Sequence, residues 1–263
     1  MTSRVATILR TLAFPSSARL LTQFSHNVSR THPAARRHRT KSPSSAAPCS
    51  HDTMGESVPE TAPFSLTEAD RWVLSQTDDE FKLHDWNELR DIVDANRLEV
   101  FKRKPSDLRK YMQWTAETKA EYGSMTNYIL KHRLPKTWGA PPFTPLSDVP
   151  LQNPADYRIL INDWPYGVTP DVTHLVVWSR TPIATDDETG DVTDESRRLI
   201  REFVEERFIR ALGDGGKDRV IWFKNWVALQ SVRSLEHFHV LVRNADPEQL
   251  KVWAEEQPCH RVE

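Results

Sequence analysis

A strand-forming run in the C-terminal half of the chain reads Glu236-His-Phe-His-Val-Leu-Val-Arg243. Successive side chains of a strand point to opposite faces of a sheet, so His237 and His239 are predicted to share one face while Phe238 and Val240 share the other. Two imidazoles on one face can provide a nucleophile and its neighbour, or two metal ligands. This histidine pair is therefore the leading candidate for chemistry.

The segments around this run predict the rest of a sheet and its covering helices. Apolar, β-branched runs predict further strands at 157–162, 173–178 and 219–223, and the first two form a wide hairpin around the turn at 165–170. Amphipathic spacing predicts helices at 194–212 and 247–256, the first with an apolar face made of Leu199, Ile200, Phe203, Val204 and Phe208. The order β-β-α-β-β-α predicts an α+β fold with an antiparallel sheet across residues 155–257.

Residues 64–134 are predicted to form an N-terminal helical extension. Ser65 or Thr67 can cap a first helix, a second spans about 85–98, and Pro105 starts a third that Ser106 or Asp107 can cap. Its apolar stripe is interpreted as core: Leu108, Tyr111, Met112, Tyr122, Met125 and Ile129. Six prolines within 135–154 exclude a helix there, so this segment is predicted to be a connector packed over the surface.

The first 51 residues contain no acidic residue but carry seven arginines and one lysine. An Arg-rich, Ser-rich, acid-free start is typical of a transit peptide, so residues 1–53 are predicted to be a disordered mitochondrial presequence and the protein to reside in the matrix. The alternatives are a plain disordered tail, or an upstream extension with Met54 as the working start and a cytoplasmic product.

Composition excludes several classes of protein. No run of 18 apolar residues occurs in the 263, which argues against a membrane protein. Beyond the basic start, 27 basic residues face 37 acidic ones, and a net charge of about −10 argues against nucleic acid as the partner. Cys49 and Cys259 lie far apart and outside any CxxC pattern, so neither a disulfide framework nor a cysteine zinc site is expected.

Polar residues near the histidine pair suit a phosphorylated ligand. Phosphate oxygens accept hydrogen bonds from side chains such as Lys224, Asn225, Gln230, Ser231 and Arg233. Four tryptophans could form an aromatic wall for a base or sugar ring, or could simply be core residues: Trp164, Trp178, Trp222 and Trp226.

Several of these motifs resemble the histidine triad (HIT) superfamily. Gln230-Ser-Val232 precedes the histidine pair, Arg243 follows it, and the hairpin carries Asn162-Asp163 and then His174-Leu-Val-Val-Trp-Ser-Arg180. The resemblance implies a HIT-like core in which His237 is the nucleophile. Leu235 stands where the superfamily has its first histidine, and the spacing from Ser231 differs by one residue. In an alternative register His239 is central and Leu241 replaces the last histidine.

A longer resemblance covers about residues 65–255. Asn162-Asp-Trp-Pro-Tyr-Gly167, Trp222-Phe-Lys-Asn-Trp226 and Glu236-His-Phe-His-Val240, with Pro105-Ser-Asp-Leu-Arg109 upstream, are similar to the fungal N-acetylglucosamine-induced protein 1 family. This resemblance implies a fungal source and a link to amino-sugar metabolism or its regulation. It implies no particular reaction.

Three hypotheses for the function remain open. The first is a nucleotidyl hydrolase or transferase, with His237 attacking an α-phosphate and His239, Ser231 and Arg180 stabilising the transferred group. The second is a regulatory protein that binds the phosphorylated ligand without turnover, which Leu235 favours. The third is a zinc site built on the histidine pair with His174 or Glu236. No cofactor is expected, and a homodimer is possible. The predicted site residues are His237 and His239, with ligand contacts from Asn162, His174, Arg180, Lys224, Asn225, Gln230, Ser231, Arg233, Trp222 and Trp226.

Overall fold

The computed structural model describes residues 65–254 of the chain. The predicted presequence at 1–53, the alternative start at Met54 and both cysteines lie outside these residues. Within them, no helix is long and apolar enough to cross a membrane.

Four antiparallel strands form one sheet in the order β1-β2-β4-β3. The strands are β1 (Tyr157–Ile161), β2 (Val172–Ser179), β3 (Val220–Phe223) and β4 (Glu236–Arg243). The predicted hairpin is confirmed, because β1 pairs with β2 from Tyr157↔Ser179 to Ile161↔Leu175. Strand β4 lies between β2 and β3, with His239 opposite both Val176 and Phe223. The predicted α+β class with an antiparallel sheet is thus confirmed, and the histidine pair lies on a central strand.

Within the described residues, four α-helices precede the sheet: α1 (Glu68–Leu74), α2 (Trp86–Asp94), α3 (Pro105–Tyr122) and α4 (Met125–His132). Thr67 caps α1 as predicted, by accepting a hydrogen bond from the Asp70 main-chain nitrogen. The predicted cap of α3 is wrong, because Asp78 accepts the Ser106 N–H from outside the helix. Helix α3 ends at Gly123, whose φ of 75° is easy for a residue that has no Cβ. Helix α2 stops at Asp94, four residues short of its predicted end.

Two helices follow in the C-terminal half, α5 (Asp194–Val204) and α6 (Pro247–Trp253). Thr193 caps α5, and the helical path continues through a π turn at Glu205–Ile209 and a 3-10 turn at Arg210–Leu212. The prediction of one regular helix over 194–212 was therefore too simple. The other four residues of the predicted apolar face, Ile200, Phe203, Val204 and Phe208, are buried in the hydrophobic core, whereas Leu199 is half-buried and lies outside it.

The sheet has two unlike faces. The apolar face, made of Leu175, Val177, Phe238, Val240 and Val242, packs against α5, the π turn and Trp253 of α6. The histidine face consists of the side chains that alternate with these: His174, Val176, Trp178, His237, His239 and Leu241. Helix α2 covers its Leu241 end, while residues of α4 and the turn after it cover Val176 and Trp178. The helical extension thus forms the second layer over the candidate site.

The proline-rich segment is anchored rather than loose. It contains a 3-10 turn, Lys136–Trp138, whose tryptophan is buried against Leu160 and Trp178. The indole nitrogen of Trp138 donates a hydrogen bond to the Ala155 carbonyl oxygen at 2.9 Å. The connector therefore holds the residues that precede β1 in place.

Candidate functional site

A pocket of about 100 Å³ opens between the histidine face and the helices above it. Its floor is formed by Leu160, Val176, Trp178, His237 and His239 of the sheet. Its walls come from three other parts of the chain: Arg103, Tyr111 and Trp114 at and in α3; Met125, Tyr128, Ile129 and Arg133 at α4; and Ile161 to Trp164 of the β1–β2 loop. Ser231 and Val232, which precede β4, complete the lining.

His237 is held with one ring nitrogen available. Its Nδ1 lies 2.8 Å from the Leu235 carbonyl oxygen, which can only accept, so Nδ1 carries the proton and Nε2 keeps its lone pair. Burial lowers the pKa of His237 to about 4, against a hydrogen bond to Leu235 that raises it. The ring packs on Trp178 with centroids 4.7 Å apart. At neutral pH His237 is therefore an uncharged imidazole with a free Nε2 beside the pocket.

His239 and His174 form a second, buried histidine pair. The Tyr166 main-chain N–H donates to His174 Nδ1 at 3.4 Å, so the His174 proton is on Nε2, which lies 3.0 Å from His239 Nδ1. Burial lowers the pKa of His174 to about 3, and burial together with the neighbouring His174 lowers the pKa of His239 well below its usual value. Both rings are thus neutral, and the pair fixes the orientation of His239.

Two asparagines flank this buried pair. The side-chain nitrogen of Asn162 lies 3.3 Å from both ring nitrogens of His174, while its oxygen accepts the Trp164 N–H. The Asn225 Nδ2 lies 3.3 Å from His239 Nε2 and 3.1 Å from the Tyr166 hydroxyl, and its buried Oδ1 has no hydrogen-bond partner in the part of the chain that the structure describes. Since His239 accepts at Nδ1, its own proton is on Nε2, and a half-turn of the Asn225 amide would let Oδ1 accept it.

Two more of the predicted donors, Lys224 and Gln230, bind other parts of the protein. Lys224 is buried, with its Nζ 3.3 Å from Glu236 Oε2. Gln230 donates to the Asn225 carbonyl oxygen at 2.8 Å, which braces the turn after β3. Ser231 alone of the predicted donors after β3 lines the pocket, while Arg233 is exposed and outside its lining.

Arg180 does not reach the pocket. Its guanidinium lies 3.4 Å from the fully buried carboxylate of Asp156, which also accepts the main-chain N–H groups of Leu146 and Ser147. Arg180 follows the last residue of β2 and so lies beyond the histidine face. Its ion pair with Asp156 stabilises the start of β1 and the connector instead.

The four tryptophans divide between different places. Trp164 and Trp178 line the pocket, but Trp222 lies on the apolar face with its ring 6.4 Å from Phe238. Trp222 pairs with Val240 in the sheet, and this register puts it on the side opposite the histidines. Trp226 donates its indole N–H to Asn96 at 3.2 Å and packs with the α2 cluster, away from the lining. An aromatic wall made of all four is therefore ruled out by the strand alternation.

Sequence reasoning missed the residues that helices bring to the pocket. The apolar stripe of α3 and α4 was interpreted as core alone, yet Tyr111, Met125 and Ile129 also line the pocket, and Trp114 and Tyr128 extend the same wall. Helical periodicity identifies a covered face but does not distinguish a core from a pocket wall. Arg103 carried no pattern at all, since it lies in the short stretch before α3.

No group of three His, Cys, Asp or Glu side chains within residues 65–254 is arranged to hold a metal ion. His174 and His239 are hydrogen-bonded to each other, and Glu236 pairs with Lys224. The geometry therefore disfavours the zinc hypothesis.

Comparisons with known proteins agree with this fold. The chain is 32% identical to N-acetylglucosamine-induced protein 1 of Candida albicans, over 61% of this chain and 68% of the relative. It is 27% identical to an uncharacterized protein of Saccharomyces cerevisiae, over 60% and 77% of the two chains. The crystal structure of HTC1 superposes with a TM-score of 0.51 at 25% identity, over 65% of this chain and 93% of that one.

The predicted resemblance to the N-acetylglucosamine-induced proteins is thus confirmed. A family model described as a protein of unknown function, DUF3605, matches residues 85–243, which include α2 to α5 and all four strands. That range contains every predicted site residue and the whole pocket lining. The chain therefore belongs to the DUF3605 family of proteins of unknown function.

Proposed function

We propose that this protein is a HIT-like protein that binds a phosphorylated nucleotide or nucleotide-sugar in the pocket and uses His237 Nε2 as a nucleophile. The observation that carries the proposal is the 2.8 Å contact between His237 Nδ1 and the Leu235 carbonyl oxygen, which leaves Nε2 unprotonated beside the pocket. A neutral imidazole is the nucleophilic form, and the lowered pKa of about 4 keeps the ring neutral throughout the physiological range.

The step would proceed by displacement at phosphorus. The Nε2 lone pair forms a bond to the α-phosphorus, the bond from that phosphorus to the leaving-group oxygen breaks with its electron pair, and the leaving group takes a proton from water. Attack by a second water molecule then cleaves the N–P bond and restores His237. Ser231, which lines the pocket, would supply a hydroxyl that donates to the phosphoryl oxygens.

The ring of a nucleotide has a matching surface. Trp114 and Trp164 lie with centroids 5.1 Å apart on the same wall, with Tyr111 and Tyr128 beside them. Flat aromatic surface combined with a few directed polar groups suits a ligand that has both a ring and a charged group. The name of the Candida albicans relative supports a link to the amino-sugar response, and so favours nucleotide-sugars among the candidates.

A second candidate function is binding of the same ligand in this pocket without any reaction. Leu235 is 1% exposed and packs in the core beside Val232 and Trp178, so the position of the first triad histidine holds an apolar side chain. A pocket that lacks this polar group suits a protein that senses the ligand without turnover.

Covalent labelling distinguishes the two functions. The full chain is incubated with ATP or UDP-N-acetylglucosamine labelled at the α-phosphorus (for the sugar, the phosphorus on uridine), quenched in base and assayed for label on protein. We expect label on the wild type, none on His237→Ala, and retained label on His132→Ala, which removes an exposed histidine of α4. Saturable binding without label would favour the sensor, and no binding of either compound would overturn both proposals.

A further inference from the structure

Arg103 differs from the other cations around the pocket. Its guanidinium carbon lies 4.0 Å from the Tyr111 ring centroid and 5.6 Å from that of Tyr166, between two aromatic faces. Its Nε donates to the Trp164 carbonyl oxygen at 3.3 Å. These contacts fix the plane of the guanidinium and use one of its five N–H donors.

The four remaining N–H groups of Arg103 have no hydrogen-bond acceptor, and no carboxylate pairs with the side chain, among residues 65–254. The other cations near the site are neutralised: Arg133 lies 3.2 Å from Asp163, and Lys224 lies 3.3 Å from Glu236. All three histidines around the floor are neutral. Arg103 therefore gives the pocket a positive charge that no described acidic side chain balances.

The segment that carries this arginine is fastened to the β1–β2 loop. The Gly167 N–H donates to the Lys102 carbonyl oxygen at 2.8 Å, which fastens the segment before α3 to the β1–β2 loop. A Cβ at Gly167 would stand 2.5 Å from the Phe81 ring, so only glycine permits this close approach. An arginine held by these contacts, in a half-buried site and with no carboxylate partner among residues 65–254, is suited to bind an anion from outside the chain.

We propose that Arg103 is the anchor for a phosphate group of the ligand, binding phosphate oxygens through its free N–H groups while the ligand's ring lies on the Trp114–Trp164 wall. The class of ligand is taken from the proposed function, and the proposal rests on it to that extent. What is new is the residue that makes the pocket prefer a phosphorylated compound to its phosphate-free counterpart. It does not require that His237 react.

The test compares paired probes by calorimetry on the full chain. AMP and adenosine are titrated into the wild type, Arg103→Gln, Arg103→Lys and Arg90→Gln, and inorganic phosphate is titrated as a ring-free probe. Arg90 is exposed on α2 outside the pocket lining, so its variant loses the same charge elsewhere on the protein. Unliganded melting curves verify that each variant is folded.

We expect the wild type and Arg90→Gln to bind AMP at least tenfold more tightly than adenosine, because charge-assisted hydrogen bonds are among the strongest in proteins. Arg103→Gln should lose most of this preference while its affinity for adenosine stays unchanged. Arg103→Lys, which keeps the charge without the fork of donors, should fall between them. An AMP preference that persists in a folded Arg103→Gln would overturn the proposal.

The two proposals fail in different ways. Loss of the AMP preference in Arg103→Gln combined with no label on His237 would support the anchor and reject the reaction. Label on His237 with an undiminished AMP preference in Arg103→Gln would do the reverse. A wild type that binds AMP no better than adenosine would overturn the anchor directly.

Discussion

The two faces of the sheet are built from the same strands and differ almost completely in chemistry. On β4, Phe238 and Val240 are fully buried among apolar side chains of α5 and the π turn, while His237 and His239 line a pocket. On the apolar face the ring centroids of Phe203 and Phe238 lie 6.0 Å apart. The histidine face carries three neutral imidazoles, and Arg103 beside it has no acidic partner among residues 65–254. Alternation along a strand thus lets one segment stabilise the protein and present a site at the same time.

Removing Phe238 should produce the largest loss of stability. Phe238→Ala leaves a cavity in the apolar face and should lower the free energy of unfolding by about 3–5 kcal/mol. His237→Ala, one residue away, removes a side chain that already borders an open pocket and should cost clearly less. Urea denaturation of both variants measures the difference. Equal losses of unfolding free energy in the two variants would contradict the view that the apolar face stabilises the fold more than the histidine face does.

Acid should destabilise the histidine face specifically. The folded pKa values of His237 and His174 lie near 4 and 3, whereas an unfolded histidine titrates near 6.5, so the unfolded state binds more protons between these values. The free energy of unfolding should therefore fall as the pH drops from 6.5 towards 4, by on the order of 3 kcal/mol for His237 alone.

The measurement is urea denaturation at several pH values between 7 and 4. His174→Gln, which removes one of the buried imidazoles, should flatten the dependence, while Phe238→Leu on the apolar face should leave the slope unchanged. A slope that His174→Gln does not alter would show that other groups govern acid stability.

A methyl group at Gly167 should disturb the pocket from a distance. Gly167→Ala places its Cβ 2.5 Å from the Phe81 ring, and overpacking of this kind costs about 1–3 kcal/mol. AMP should also bind more weakly, because a shift of Gly167 would strain its hydrogen bond to the carbonyl oxygen of Lys102, the residue before Arg103. In a Phe81→Leu background the cost of Gly167→Ala should shrink, and a double-mutant cycle of melting curves and AMP titrations measures this coupling. Strictly additive effects would reject the contact as the cause.

The smallest expected effect distinguishes two tryptophans. Trp178 packs on His237 in the pocket, whereas Trp222 lies on the apolar face. Trp178→Phe should weaken AMP binding by about 0.5–1.5 kcal/mol, the usual contribution of an aromatic contact, and Trp222→Phe should leave the affinity unchanged. Calorimetric dissociation constants for the two variants provide the check. A loss of affinity in Trp222→Phe would mean that the binding site is not confined to the histidine face.

The strands were predictable because their signal is local. A period of two places His237 and His239 together on any β4, and the predicted bounds of all four strands agree with the observed ones to within about one residue. Helix ends were less predictable, since α2 stops at Asp94 and the π turn interrupts the long helix after α5. Both endings depend on packing with residues far away along the chain.

The site residues show the same limit. Four predicted site residues do lie around the histidine pair: Asn162, His174, Asn225 and Ser231. Each of them lies in a predicted strand or within a few residues of one. Arg180 was assigned from the HIT-like hairpin motif and Trp222 as part of an aromatic wall, and the path and register of their strands take them elsewhere. Arg103, some sixty residues upstream of Trp164, had no local signal.

The order of amino acids was enough to predict the α+β class, the antiparallel hairpin, the shared face of the two histidines and the resemblance to the N-acetylglucosamine-induced proteins, because periodicity and short motifs are properties of neighbouring residues. It could not predict which side of the sheet α3 and α4 cover, nor which cations near the pocket are neutralised. Those outcomes depend on distances between segments far apart in the chain. The positive charge of the pocket therefore comes from Arg103, a lining residue that has no acidic partner among residues 65–254.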